Sequence, residues 1–471
     1  MKYLATTLII LLSHSFASAS SLMVTTIESQ HWNKKIAYDS LSRRVLGLRW
    51  QVNRIWPKEN RFVVVAEKGL EITDERLYQL EKKMSKDPWV LTAKASYTNQ
   101  NFTPPNPKAG LLPIDDPNWH LGQKGINVWA AWQMFQKIGK RPGEGVMIGL
   151  TDTGYLRHPE LFKNGKIFGL RVDLQKNFSE PEMRNALDIC YTLCGLTFNK
   201  TMKLAYVGHG TTVASLIISP KNPASHKNYD VVGASPYSEV IPIRVSSSVV
   251  LGPKGALNLA KGILYAKDKG AKVITISMGG GFIPDDPLHH VIKKVTASGV
   301  IIIAAAGNGI YGHSASFFRQ VAKPGAYKET IAVAGSTYKQ TPWRDSARGE
   351  KVDISAPAKD IRRARAGWVS LKRHVMDTDR GEGTSMAAAL AASAAALWVS
   401  YHGYDRLLEY YDNKPAYIPK AFRYLLKNSG VRTPPNWDVS QFGAGILDVK
   451  KVLMARLPTK TELKEVSFDK I

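Results

Sequence analysis

The sequence predicts an α/β fold from about residue 113 onward, a doubly wound parallel sheet, preceded by a small α+β unit. Short apolar runs have the length and composition of buried strands, at residues 146–151, 272–277, 300–306 and 330–334. Helical patterns lie between them, and two end at a glycine, at residues 256–269 and 287–298. Parallel strands need long crossovers, so helices should cover both faces of the sheet. Functional residues are then expected at the carboxyl ends of the strands.

The N-terminus has the pattern of a secretory signal. Lys2 provides the positive start, residues 4–12 an apolar run, and Ala17 to Ala19 a small-residue cleavage site. The run is far shorter than the roughly 20 apolar residues that a membrane span needs. We therefore expect a secreted protein, periplasmic or extracellular, that loses residues 1–19. No later segment is expected to span a membrane.

Residues 20–112 follow a pattern of their own. Alternating apolar residues predict a half-buried strand at 46–52, and apolar runs predict two more at 62–65 and 89–91. Between the last two, Thr73 is a suitable N-cap for a helix. These elements form a small β-α-β unit.

Composition divides the chain into four parts. The signal at 1–19 is followed by the small unit and its linker at 20–112, the α/β domain at 113–455 and a C-terminal tail at 456–471. Residues 98–107 are rich in Pro and Asn, which predicts a linker and a site of proteolytic cleavage.

The chain is strongly basic. Lysine and arginine total 64 against 39 aspartates and glutamates, a formal net charge of +25. Two interpretations remain open: attraction to anionic surfaces or acidic substrates, or general surface chemistry. The charge is spread out and no nucleic-acid-binding module is recognisable, so no nucleic-acid partner is expected. A basic stretch between Pro357 and Gly383 is either a solvated loop or a docking segment for an acidic partner.

Cys190 and Cys194 are the two cysteines of the chain. In an exported protein an even count at close spacing favours a local disulfide, and two free thiols are the alternative. The sequence contains no HExxH or paired CxxC motif, so we expect no metal site of those kinds.

Two segments place proton-transfer groups beside predicted elements. IGLTDTG at 148–154 puts Asp152 at the end of a buried strand, where a carboxylate can hold an imidazole in one tautomer. GHGTTVA at 208–214 places His209 between glycines, ahead of an apolar helix. Each residue has an ordinary alternative. Asp152 would be a helix cap or half of an aspartic-protease site, and His209 a structural histidine.

Two further segments supply a nucleophile and an amide donor. GTSMAA at 383–388 puts Ser385 in the first turn of an Ala-rich helix, where free N–H groups favour negative charge. AAAGN at 304–308 ends a buried strand with Asn308, whose amide can donate to an oxyanion. The alternatives are a plain N-cap for Ser385 and a turn-forming role for Asn308.

Together these segments resemble the subtilisin family of serine proteases (subtilases, peptidase family S8), in which the chain order is Asp, His, Ser. The resemblance extends from about residue 113 to 455. Further matching segments are ISMGG at 276–280, KPG at 323–325, VDISAP at 352–357 and GAGILD at 443–448. An esterase of the α/β-hydrolase fold would instead need Gly-x-Ser-x-Gly and the order Ser, Asp, His.

The resemblance implies a serine endopeptidase that cleaves proteins or peptides through an acyl-enzyme. Its catalytic residues would be Asp152, His209 and Ser385, with Asn308 in the oxyanion hole. The substrate cleft would be lined by Ser277, Met278, Gly279 and Ala305. Residues 20–112 would be an inhibitory propeptide, and the chain a monomeric zymogen. A catalytically silent peptide-binding protein is the alternative.

The implied chemistry requires no cofactor. Calcium is common in similar proteases, but no segment here shows a ligand pattern that would assign a site.

Small residues at Ala305 and Ala322 predict a preference for an apolar residue before the scissile bond. Thr212 stands where many relatives carry a second His. Glu382 replaces a smaller polar residue and faces either the cleft or solvent.

Overall fold

The computed structural model describes residues 21–26, 50–56, 61–66, 79–80 and 90–96, then 118–465 without 164–165, 189–206, 221–230, 281–286, 310–318 and 371–372. The chain divides into two compact units, residues 1–114 and 115–471. The predicted signal at 1–19 and the linker at 98–107 lie outside the described residues. Of the predicted tail, residues 460–465 are helical.

Four strands are described in the first unit: β1 (Ser21–Thr26), β2 (Trp50–Trp56), β3 (Arg61–Ala66) and β4 (Val90–Ser96). They pair antiparallel in the order β2-β3-β1-β4. Gln79 and Leu80 are helical, and Leu80 is buried. Strand β1 was not predicted from the sequence, because its short apolar stretch directly follows the apolar signal and has no pattern of its own.

The second unit is built around a large sheet. Its described strands are β5 (Met147–Asp152), β6 (Phe162–Lys163), β7 (Lys166–Ile167), β8 (Lys176–Asn177), β9 (Glu239–Arg244), β10 (Val273–Ile276), β11 (Ile301–Ala305), β12 (Ile331–Ser336), β13 (Ile354–Pro357), β14 (Ile361–Ser370), β15 (Arg373–Gly381), β16 (Val431–Arg432) and β17 (Ile446–Leu447). The sheet order is β16-β17-β13-β12-β11-β10-β5-β9-β8. Its strands pair in parallel except for β16 and β17.

The described helices of this unit follow the strands. They are α1 (Val128–Lys137), α2 (His209–Ile218), α3 (Pro253–Asp268), α4 (Leu288–Ala297), α5 (Thr384–His402), α6 (Tyr404–Tyr410), α7 (Tyr417–Asn428), α8 (Val439–Phe442), α9 (Val449–Met454) and α10 (Lys460–Glu465). Single 3₁₀ turns occur at Trp119–Leu121 and Val172–Leu174. The predicted glycine stops after α3 and α4 are Gly270 and Gly299, with φ values of 90° and 93°.

Strand β11 shows that helices cover the sheet on both faces. All five of its residues are buried. Ile301, Ile303 and Ala305 pack in the core that contains α2 and α5, whereas Ile302 and Ala304 pack in the core that contains α3 and α4. The predicted doubly wound α/β fold is therefore confirmed, and the four strands predicted from apolar runs correspond to β5, β10, β11 and β12.

The basic stretch before the Ala-rich helix is a β-hairpin, not a loop. Strands β14 and β15 pair antiparallel, from Ile361 opposite Gly381 to Ser370 opposite Arg373. The buried residues Ala364 and Ala366 alternate with arginines. Arg363 and Arg365 lie 2.9 Å and 3.7 Å from the carboxylate oxygens of Asp379. These two arginines are thus paired within the hairpin, which weakens the interpretation as a docking segment for an acidic partner.

Helix α5 runs through the core beneath the sheet. By length and composition it could cross a membrane, with a mean hydropathy of 1.3 over 18 residues, although no such segment was predicted from the sequence. Of that 18-residue window, 89% is buried within the fold. The burial is that of a core helix, and its many alanines let strands and helices pack closely against it.

His120 is a buried base that bears on acid stability. It is fully buried, and no described residue is a hydrogen-bond partner of either ring nitrogen. Burial lowers the pKa of His120 from 6.5 to about 3, and the charge of Arg380 adds to the lowering. As the pH falls below about 6.5, His120 becomes protonated in the unfolded chain. In the folded chain it stays neutral until the pH reaches about 3. This single group therefore lowers the free energy of unfolding by about 1.4 kcal/mol per pH unit across that window.

His120→Leu should remove this acid-sensitive contribution. We expect unchanged or higher stability at neutral pH, because two unpaired polar atoms are lost, and a shallower decline toward acid pH. Denaturant titrations at several pH values, in a Ser385→Ala background to avoid self-digestion, measure both effects. The control is His290→Leu, at an exposed histidine. An equal flattening in the control would contradict the role given to burial.

Candidate active site

Asp152, His209 and Ser385 come from three elements that meet at the carboxyl edge of the sheet. Asp152 is the last residue of β5, His209 the first of α2 and Ser385 the second of α5. The His209 Nδ1 lies 2.7 Å from Asp152 Oδ1. The His209 Nε2 lies 3.1 Å from Ser385 Oγ. The structure thus joins the three predicted residues in one hydrogen-bonded chain.

The carboxylate of Asp152 is buried and held from two sides. Its side chain is 1% exposed, against 14% for His209. Oδ1 accepts hydrogen bonds from His209 Nδ1 and from the backbone N–H of Thr153, both at 2.7 Å. Because a carboxylate can only accept, the imidazole must carry its proton on Nδ1. Nε2 is then free to accept a proton from Ser385.

The glycines on either side of His209 allow α2 to begin in contact with its neighbours. Gly208 has a φ of 83°, and a Cβ there would lie 2.1 Å from the carbonyl oxygen of Ala366. A Cβ at Gly210 would lie 2.0 Å from the carbonyl oxygen of Gly154. A side chain at either position would therefore displace His209 from Asp152.

Ser385 does not cap its helix. The N-cap of α5 is Gly383. The Ser385 hydroxyl lies 3.1 Å from the carbonyl oxygen of Ser277, and the Ser277 hydroxyl donates to the carbonyl oxygen of Ser385 at 3.1 Å. The bond from the Ser277 hydroxyl fixes the start of α5 against the chain that leaves β10, and the single hydroxyl proton of Ser385 is donated either to the Ser277 carbonyl or to His209 Nε2.

Asn308 is oriented by Thr384, which was not predicted from the sequence. Its Oδ1 accepts hydrogen bonds from the backbone N–H of Thr384 at 3.0 Å and from the Thr384 hydroxyl at 2.8 Å. The same hydroxyl accepts from the backbone N–H of Gly307 at 3.2 Å. With Oδ1 held in this way, the Nδ2 of Asn308 is the half of the amide left to donate elsewhere. The sequence feature that could have identified Thr384 is its position directly before the predicted nucleophile, Ser385.

The four residues predicted to line the substrate cleft differ in their surroundings. Met278 is 4% exposed and its side chain packs in the core with α3 and α4, so only its backbone can face a substrate. The backbone N–H of Gly279 donates to Val249 at 2.9 Å, and its carbonyl accepts from Leu251 at 3.0 Å. Ser277 contacts Ser385 as described above. Ala305 is 8% exposed.

A peptide that pairs with Gly279 must therefore first displace residues 249–251. An extended substrate uses the backbone N–H and C=O groups of a strand edge, and at Gly279 both groups already have partners. Val250, between those partners, is 52% exposed. The described residues thus place an exposed segment of the chain on the strand edge next to Ser385.

Two departures from the family pattern have clear positions. The Thr212 hydroxyl donates to the carbonyl oxygen of Ala364 at 2.8 Å and so ties α2 to the hairpin. Glu382 is exposed.

Cys190 and Cys194 lie outside the described residues. Within the described ranges, no three His, Cys, Asp or Glu side chains form a group that could hold a metal ion.

A doubly wound sheet whose carboxyl edge joins a hydroxyl, an imidazole and a carboxylate in series has the architecture of a serine hydrolase. The family model described as the Subtilase family matches residues 143–445, and the chain belongs to that family.

Known proteins agree with this assignment. The chain is 28% identical to thermitase of Thermoactinomyces vulgaris over 290 residues, which are 61% of this chain and 85% of thermitase. It is 28% identical to the major intracellular serine protease of Bacillus subtilis over 284 residues, 59% of this chain and 75% of that protease. A solved protease of Pseudoalteromonas arctica PAMC 21717 superposes with a TM-score of 0.53 at 22% identity, over 72% of this chain and 96% of that one. At that identity the structural likeness shows the fold alone.

Proposed function

We propose that this subtilase is an endopeptidase in which Ser385, His209 and Asp152 are the catalytic triad. The observation that carries the proposal is the continuous chain of hydrogen bonds from the Ser385 hydroxyl to the Asp152 carboxylate. Ser385 is the nucleophile, His209 the general base and then the general acid. Asp152 holds the imidazole and stabilises its protonated form.

The reaction proceeds in two halves. Ser385 Oγ attacks the carbonyl carbon of the scissile bond while His209 Nε2 takes the hydroxyl proton. The tetrahedral intermediate collapses, the C–N bond breaks, and the imidazolium gives its proton to the leaving amine. Water then attacks the acyl carbon while His209 takes one of its protons. The bond from the acyl carbon to Ser385 Oγ breaks, the imidazolium gives its proton to Oγ, and the carboxylic acid product leaves.

The oxyanion of each intermediate is bound by the Asn308 side-chain amide and the backbone N–H of Ser385. Asn308 suits this role because Thr384 holds its Oδ1, which directs the donating half of the amide away from Thr384. The N-terminus of α5 adds a favourable field at the same place. No step requires a cofactor.

We further propose that the chain is an exported precursor. The signal pattern at 1–19 supports export, although two relatives are named intracellular serine proteases. Residues 20–112 would act as an intramolecular inhibitor, an assignment supported by the separate antiparallel sheet β1–β4 and the Pro/Asn-rich linker at 98–107. The substrates would be proteins or peptides.

Ser385→Ala should abolish peptide hydrolysis and leave the fold intact. Activity should fall by several orders of magnitude, because the triad acts as a unit. Stability should fall by no more than about 1 kcal/mol, the worth of the lost bond to the Ser277 carbonyl, because Gly383 caps α5 and the Ser277 hydroxyl still donates to the backbone of residue 385. N-terminal mass spectrometry should find wild type cut near residues 99–113 and the variant uncut. A folded variant that hydrolyses peptides at the wild-type rate would contradict the proposed mechanism. An inactive variant that is cut normally would contradict only self-maturation.

Thr384→Val should reduce kcat by about tenfold, the worth of one hydrogen bond of roughly 1–1.5 kcal/mol. The substitution keeps the shape of the side chain and removes the hydroxyl that holds Asn308. The matched control is Thr384→Ser, which retains the hydroxyl and should retain the activity. Equal kcat values in the two variants would show that the hydroxyl does not orient Asn308.

Cleavage should favour an apolar residue before the scissile bond. Small residues meet beside Asn308, since a Cβ on Gly307 would lie 3.3 Å from the Cβ of Ala322, and one on Gly325 would lie 2.9 Å from the carbonyl oxygen of Ala305. A pocket bordered by such residues offers apolar surface to the substrate side chain. A peptide-library profile dominated by Arg or Lys at that position would contradict this pocket.

A further inference from the structure

Asp188 is a buried carboxylate next to the proposed triad. It is 3% exposed. Its Oδ2 accepts hydrogen bonds from the backbone N–H of Gly208 at 2.6 Å and from the Thr153 hydroxyl at 2.7 Å. Its Oδ1 accepts from Arg244 at 2.6 Å. All three partners donate, so the geometry is that of an ionised carboxylate.

Arg244 supplies the counter-charge from the neighbouring strand. It is the last residue of β9, opposite Asp152 in the parallel register, and it is 1% exposed. Its Nη1 also donates to the carbonyl oxygen of Thr153, and its Nε lies 3.4 Å from Glu180 Oε2. Burial raises the pKa of Asp188, and the charge of Arg244 opposes that rise.

The partners of Asp188 are the immediate chain neighbours of two triad residues. Thr153 directly follows Asp152, and its backbone N–H donates to Asp152 Oδ1 at 2.7 Å. Gly208 directly precedes His209. The Thr153 hydroxyl also accepts from the N–H of Gly210 at 3.4 Å, on the other side of His209. One carboxylate therefore joins the end of β5 to the start of α2.

We propose that Asp188 is a positioning residue of this peptidase: through Thr153 and Gly208 it sets the separation between the Asp152 carboxylate and the His209 imidazole. The inference rests on the proposed triad. Among the described residues, Asp188 makes no hydrogen bond to Asp152, His209 or Ser385, and it acts through the Thr153 hydroxyl and the backbone N–H of Gly208. A shift of about 1 Å in such a pair costs on the order of 10²-fold in rate.

The chain provides a matched control for a purely structural role. Asp353 is 2% exposed, lies 2.6 Å from the Nη2 of Arg423 and accepts the backbone N–H of Ala332 at 2.8 Å. It is thus a second buried aspartate with an arginine partner and a backbone donor. Its described partners do not adjoin Asp152, His209 or Ser385. Removing the charge at Asp353 should therefore destabilise the fold without moving the triad.

Asp188→Asn tests the proposal because its amide cannot accept at both former oxygens. We expect kcat per active site to fall on the order of 10²-fold, with KM essentially unchanged, because Asp188 is buried and its side chain binds Thr153, Gly208 and Arg244, none of which is expected to line the substrate cleft. Active-site titration with a fluorophosphonate counts the folded, reactive enzyme and corrects for lost stability. Asp353→Asn should lower the melting temperature and keep the wild-type kcat per active site. A wild-type kcat in Asp188→Asn, or an equal loss in Asp353→Asn, would overturn the proposal.

A second pair of variants keeps the test valid if Asp188→Asn does not fold. Thr153→Val removes the hydroxyl between Asp188 and Gly210, whereas Thr153→Ser retains it. We expect a fall in kcat in the first and recovery in the second. Equal kcat values would overturn the proposal. Failure of the triad itself is distinguishable, because wild-type enzyme would then not be labelled at Ser385 by the fluorophosphonate.

Discussion

The hydrogen bond between His209 Nδ1 and Asp152 Oδ1 is the interaction on which the rest of the site depends. It joins the end of a strand to the start of a helix that lies 57 residues further along the chain. Because the carboxylate is 1% exposed, the bond acts in a medium that screens it weakly. The bond also decides the tautomer, and so leaves Nε2 as an acceptor for the hydroxyl of Ser385. A parallel sheet supplies this geometry by ending β5, β10 and β11 at one edge.

Close approach is the second constraint, and small residues satisfy it. Gly208 and Gly210 let the backbone on both sides of His209 touch the hairpin and the turn after β5. The alanines of α5 let that helix lie against the sheet, so Ser385 arrives within 3.1 Å of both His209 and Ser277. Larger side chains at these positions would push the end of β5 and the starts of α2 and α5 apart. The geometry of this site is a consequence of backbone packing as much as of the side chains of Asp152, His209 and Ser385.

The sequence predicted whatever is local and periodic. Apolar runs bounded by glycines located β5, β10, β11 and β12, and short motifs located Ser385, His209 and Asp152, which the structure brings together. The hairpin β14–β15 was missed because its arginines alternate with alanines, a pattern whose buried face is weakly apolar. Asp188 was missed for a different reason. It lies 35 residues from Thr153 and 20 from Gly208, so only the folded chain brings its donors together.

The two buried aspartate–arginine pairs show why burial of charge alone does not identify a functional group. Asp188–Arg244 and Asp353–Arg423 both have N–O separations of 2.6 Å. Such pairs add little net stability compared with apolar packing, yet losing one partner costs about 3–5 kcal/mol. The pairs differ in what their remaining lone pairs hold. Asp353 binds the backbone at Ala332, at the sheet, whereas Asp188 binds both chain segments that carry the imidazole and its carboxylate. A buried charge is costly, and the proposed role of Asp188 gives a physical reason to keep one. Its directional hydrogen bonds fix the distance between the His209 imidazole and the Asp152 carboxylate, on which the proposed chemistry depends.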